Sequence, residues 1–265
     1  MNLGAMVLIG LATALILMVG VWLASLVRQD ASLVDRFWGA GFVLLAWVYW
    51  LSAGVPTAGL ITVIPVTLWG LRLSVYLTWR NWGKGEDARY QDMRNHHGAR
   101  FPWVSLVTVF GLQGVIMWIV AMPLVYGSAA GTAATPWWPL TGLGLVLWAV
   151  GLAWEAIADA QLARFKADPD NRGRVMDRGL WRYSRHPNYF GEMVLWWGFF
   201  CMGAAAGGWW TIVSAALMSF LLARVSGVTL LEQKLNETRP AYRDYVARTN
   251  ALIPGPPKAR ASDEA

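Results

Sequence analysis

The sequence predicts an all-α protein, a polytopic bundle of about seven transmembrane helices with its N-terminus outside and its C-terminus in the cytoplasm. Three observations carry that expectation. Of 265 residues, 56% are hydrophobic and only 14% charged, against about 25% charged in an ordinary soluble domain. Several runs are apolar over the roughly 20 residues that a bilayer crossing needs. The 22 Lys and Arg residues, one excepted, are confined to alternate connections between those runs.

In chain order the spans are Leu3–Leu26, Phe37–Ala53, Ala58–Trp79, Phe101–Tyr126, Pro139–Ile157, Tyr189–Ala205 and Trp209–Val228. The first lacks a basic leader and is too long for a signal peptide, so it is taken as a span. Pro56, Pro136 and the run Ala204-Ala205-Ala206-Gly207-Gly208 mark tight turns. No repeat or linker interrupts the chain, which implies one domain over 1–257. The Pro254-Gly255-Pro256-Pro257 stretch opens an expected disordered tail that includes 258–265.

Two basic residues lie at 28–36, five at 80–100, seven at 164–185 and seven from 224 onward; Arg72 alone sits within a span. Cytoplasmic connections of membrane proteins carry the Lys/Arg excess, so these connections are expected to face the cytoplasm. The same distribution argues against nucleic acid as the partner of the +6 net charge. The expected setting is a bacterial inner membrane (or an endoplasmic reticulum membrane in a eukaryote), with the protein a monomer among membrane lipids.

The single cysteine, Cys201, lies in an apolar run, and His96 and His97 read as surface residues, so no metal site is expected. There is no Gly-x-Gly-x-x-Gly after a strand, no phosphate-binding Gly-Lys-Ser/Thr loop and no nucleophile elbow. Ionisable groups at membrane depth line cavities or pair with one another. Glu155 and Asp159, four residues apart, share one helical face; Glu192 lies within the sixth span; Arg72 and Tyr76 share a face of the third. Lys84, Lys166, Arg172, Arg174, Arg178, Arg182 and Arg185 crowd the two long basic connections, where guanidinium forks suit phosphate. Topology signalling and attraction to anionic headgroups explain the same charges without a ligand.

The densest polar stretch is Arg182-Tyr183-Ser184-Arg185-His186-Pro187-Asn188-Tyr189-Phe190-Gly191-Glu192, which opens onto an apolar run. Its Arg185–Glu192 core resembles the Arg-His-Pro-Asn-Tyr-x-Gly-Asp/Glu signature of membrane sterol reductases. With Asp35-Arg36-Phe37-Trp38-Gly39, Leu68–Ser74, Arg80–Asp87, Glu155–Asp159, Gly179–Ser184 and the closing Tyr242–Tyr245 to Ile253-Pro254, the chain resembles bacterial steroid 5-alpha-reductase-like membrane proteins. That resemblance runs from about residue 30 to 257 of the chain. It implies a helical bundle that binds NADPH from the cytoplasmic side. The implied reaction is reduction of a carbon–carbon double bond in a steroid or related lipid drawn from the bilayer.

Carried over by position, Asn81 and Lys84 lie near the cofactor, Asp159 belongs to its binding network, and Lys166 and Arg174 contact it. Asn188 and Glu192 hold the nicotinamide end, with Arg185, His186 and Tyr189 in the same motif. Asp35 and Tyr76 take the catalytic places by position alone, because the family's Gln-Glu pair has no clear counterpart. Isoprenylcysteine carboxyl methyltransferases, which use S-adenosylmethionine, share an Arg-His-Pro-x-Tyr-x-Gly core. The chain has Leu231-Glu232-Gln233 where they have two consecutive glutamates. Asn188, Glu192 and the Arg80–Asp87 loop favour the reductase.

Overall fold

A computed structural model describes residues 1–132, 135–225 and 240–258. Among them every regular element is helical. The expected end of the last span at Val228, the Leu231-Glu232 pair and the tail from 259 lie outside the described residues. The helices are α1 (Leu3–Arg28), α2 (Leu33–Ser52), α3 (Leu60–Asn81), α4 (Ala88–His97), α5 (residues 101–120) and α6 (Met122–Ser128). They are followed by α7 (Trp138–Ala167), α8 (Pro187–Ala205), α9 (Trp209–Arg224) and α10 (Pro240–Arg248).

Four helices are long and apolar enough to cross a membrane: Leu3–Arg28, Thr57–Asn81, Ala88–Val120 and Trp138–Ala167. Their outward faces are apolar, as with Ile16 at 72% and Val107 at 68% exposure, which suits contact with lipid tails rather than water. Trp-rich α2 and α8 carry charge near their starts, at Asp35, Arg36 and Glu192, and α9 is short.

The chain divides into two compact units, Met1–Thr141 with Phe199–Ser214, and Gly142–Gly198 with Ala215–Ala265. In the first, Asn2 caps α1 by accepting the Ala5 N–H at 2.8 Å, and Gln29 ends it with a positive φ of 50°. Asp87 caps α4, whose last turn holds Arg94, His96 and His97 against the negative end of the helix dipole. The connection read as a loop over 80–100 is therefore helical in its second half. Gly98, at a φ of 52°, separates α4 from the apolar α5.

The core of this unit is a file of rings. Trp38 meets Phe42 edge-on at 5.1 Å, Phe42 meets Trp69 at 5.8 Å and Trp69 meets Phe199 at 6.3 Å. Indole N–H groups find carbonyls: Trp22 donates to Pro102, Trp50 to Pro56 and Trp118 to Val7, each at 2.9 Å. Helices α2 and α3 touch backbone to backbone at Gly39 and Gly70, where an added Cβ on Gly39 would stand 2.3 Å from the Gly70 carbonyl oxygen. Beside this crossing the Ala40 N–H donates to Ser74 Oγ at 2.9 Å.

In the second unit, α7 and α8 pack through two such contacts. A Cβ on Gly151 would lie 2.5 Å from the Gly191 carbonyl oxygen, and one on Gly198 would lie 2.6 Å from that of Gly144. Both helices place these glycines seven residues apart, two turns along one face. The stretch expected to be disordered from Pro254 is instead tied down as far as Lys258. The Gly255 N–H donates to the Tyr183 carbonyl at 3.0 Å and the Lys258 N–H to that of Arg248 at 2.9 Å.

Candidate functional site

The second unit gathers the polar groups that an apolar bundle least easily accommodates. Glu155 is 2% exposed, Asp159 4%, Glu192 7% and His186 4%. Each burial is costly unless charge and hydrogen bonds are matched. The helix seam explains the grouping. With no side chain at Gly191, the α8 backbone reaches α7 where a Cβ would lie 2.5 Å from the Glu155 nitrogen. The two backbones therefore meet at Glu155 and at Gly191, the residue next in sequence to Glu192. One turn further along α7, the Ala158 carbonyl, next in sequence to Asp159, accepts the Trp181 indole N–H at 3.0 Å.

That turn launches α8. Pro187 supplies the first helical residue, a position where its missing N–H costs nothing. The His186 N–H donates to Ser184 Oγ at 3.1 Å, and the His186 ring stacks on Tyr189 at 5.4 Å and 5°. Asn188 is half-buried and stands one turn before the buried Glu192 on the same face. Glu155 and Asp159 thus lie on α7, Asn188, Tyr189 and Glu192 on α8, and His186 immediately before α8. Lys166 is exposed in the last turn of α7, and Arg172, Arg174, Arg178 and Arg182 are exposed along the connection between those helices. Arg185 has a different setting: its Nη1 donates to the Val246 carbonyl at 3.2 Å and to that of Thr249, at the carboxyl end of α10.

Asp35, Tyr76, Asn81 and Lys84 belong to the first unit, which has a polar network of its own. Glu86 accepts the Arg94 fork at 2.8 and 2.9 Å and the Ala31 N–H at 2.8 Å. The Arg94 guanidinium also lies 4.4 Å from the Phe101 ring centre. Burial pushes the Glu86 carboxyl up, but the Arg94 and Ala31 hydrogen bonds outweigh it and hold the group below its ordinary range. Asp35 accepts from Arg89 and from Tyr90 Oη, each at 3.0 Å, and Gln113 reaches Tyr90 Oη at 3.4 Å. Here burial outweighs the Arg89 charge and the Tyr90 hydrogen bond, so the Asp35 carboxyl is raised above its ordinary value. Tyr76 lies between two cations, with the Arg72 and Arg80 guanidinium carbons each 5.7 Å from its ring centre. Arg80 also donates to Asn81 at 3.4 Å, and Lys84 is exposed.

Sequence reasoning left Tyr90, Gln113 and the Glu86–Arg94 pair without roles. The acidic residue ahead of Ala88-Arg89-Tyr90 was a legible helix-start signal for that region. It also left Trp181, Ser184 and Tyr245 without roles. Tyr245 Oη donates to the Trp181 carbonyl at 2.5 Å, a pairing across 64 residues that no local pattern announces.

Residues 21–249 match the family model described as "Protein of unknown function (DUF1295)". The chain is 28% identical over 280 aligned positions to an uncharacterized protein of Schizosaccharomyces pombe, covering 93% of this chain and 79% of the relative. No solved structure matches it.

Proposed function

We propose that this chain, which belongs to the DUF1295 family of proteins of unknown function, is a membrane-embedded reductase. It would use NADPH to saturate a carbon–carbon double bond conjugated to a carbonyl in a steroid or related lipid. The observation that carries this reading is the placement of Asn188 and Glu192. They stand one turn apart at the start of α8, the glutamate buried and the asparagine half-buried. An amide and a carboxylate so arranged can grip a carboxamide: Glu192 accepts its N–H, and Asn188 donates or accepts.

The residues fit such a ligand at its other end too. Exposed Arg172, Arg174, Arg178 and Arg182 offer forks for phosphates and Lys166 an ammonium, and Tyr189 and His186 present stacked rings at the entrance to α8. The chemistry NADPH would supply there is a hydride. The chain's own part is to exclude water with apolar walls and to orient the nicotinamide end. In the first unit, burial raises the Asp35 carboxyl above its ordinary value. Seven spans, with the basic connections in the cytoplasm, complete the proposal.

Glu192→Gln keeps the shape and removes the charge. Purified protein in detergent is expected to bind NADPH, read by its fluorescence, and the substitution to weaken binding by at least tenfold, about the worth of one charge-assisted hydrogen bond. Binding of S-adenosylmethionine with indifference to NADPH would replace this reading with a methyltransferase.

A further inference from the structure

The turn that launches α8 is tied by several hydrogen bonds to the last described residues of the chain. Tyr245 Oη donates to the Trp181 carbonyl at 2.5 Å and to the Ser184 carbonyl at 3.3 Å. The Gly255 N–H donates to the Tyr183 carbonyl at 3.0 Å. Ser184 Oγ donates to the Leu252 carbonyl at 2.8 Å while accepting the His186 N–H. The Arg185 N–H donates to the Asn250 carbonyl at 2.8 Å, and its guanidinium caps the carboxyl end of α10. So Trp181, Tyr183, Ser184 and Arg185 are each bonded to residues between Tyr245 and Gly255.

From this we infer that the C-terminal segment is a clamp that sets the orientation of Asn188 and Glu192, with Tyr245 its positioning residue. The inference rests on the cofactor reading above. A helix start such as this one is a rigid lever. Once the Trp181–His186 turn is fixed, the direction of α8 follows, and with it the face that Asn188 and Glu192 share. Tyr245 is 2% exposed, and its single hydroxyl spans the turn, reaching carbonyls three residues apart. Its loss leaves both carbonyls short of a donor in a dry setting, which the turn relieves by rotating toward other partners.

The test compares wild type, Tyr245→Phe and Arg243→Ala, the last on the exposed face of the same helix. NADPH titration is read alongside thermal stability, and hydrogen exchange over 181–192 is measured without cofactor. Tyr245→Phe is expected to weaken NADPH binding about tenfold, to speed exchange over 181–192, and to leave exchange along the middle of α7 unchanged. Arg243→Ala is expected to match wild type. A lowered melting temperature with unchanged NADPH affinity makes Tyr245 merely structural and overturns the inference, as does unchanged exchange over 181–192. Should Tyr245→Phe not fold, Ser184→Ala removes the Leu252 and His186 bonds instead and is held to the same outcomes. Failure of wild type to bind NADPH overturns the reductase reading, whereas the exchange result judges the clamp by itself.

Discussion

Glu86 is the residue on which the first unit's polar network turns. Its side chain is 6% exposed and meets three donors. Glu86→Ala strands the Arg94 fork and the Ala31 N–H together, an expected loss of about 2 kcal/mol in a reversible unfolding measurement. The pH dependence has a definite sign. The folded Glu86 lies below its ordinary 4.5, so its stabilisation is complete above that value and is lost as pH falls through the folded one. Asp35 acts oppositely. Its folded carboxyl lies above the ordinary 3.8, so stability declines as pH rises from 3.8 through the raised value. Melting curves at stepped pH should therefore show the acid-side loss shrink in Glu86→Ala, whereas Asp35→Asn should remove the opposing trend. Neither role could be read from residue spacing, since the Glu86–Ala31 bond joins positions 55 apart.

At the scale of helices, close approach sets the order of sensitivity. A methyl on Gly39 would meet the Gly70 backbone at 2.3 Å, whereas one on Gly41 would meet the tip of Met117 at 2.4 Å. Backbone cannot yield without parting α2 from α3, but a methionine end swings aside. Gly39→Ala is expected to cost about 1–3 kcal/mol and Gly41→Ala distinctly less, checked by thermal melts in one detergent. Hydropathy located the helices well: the apolar stretches at 3–26, 58–79 and 139–157 all lie within helices long enough to cross a membrane. The seams were harder to see. Gly144 and Gly151, with Gly191 and Gly198, share a seven-residue spacing, but glycine in an apolar run signals a helix contact only once its partner is known. The motif from Arg185 to Glu192 was legible as a polar cluster at a helix entrance. The turning of Arg185 toward the α10 carbonyls was not, because an arginine's reach is set by what folds beside it.

For the molecule as a whole, topology is the property most directly open to trial. The single cysteine, Cys201, is buried at 7% exposure, so labelling of introduced thiols starts from a quiet background. Cysteines placed at Lys84 and Gly173, both exposed, are expected to react only from the cytoplasmic side. One at exposed Thr135 should react only from the other face. Labelling of Lys84 and Thr135 positions from the same side would remove the proposed alternation of basic and neutral connections.

The bond from Ser184 to the Leu252 carbonyl joins positions 68 residues apart, and that separation orders events in time. Chains emerge at about 5–20 residues per second, so roughly 3–14 s pass between synthesis of the turn and of the residues that hold it. Throughout that interval the entrance to α8 is a set of backbone groups awaiting partners not yet made. The helices can be inserted and packed while the launching turn is still loose, and the candidate site becomes a finished shape only after residues 245–255 have been made.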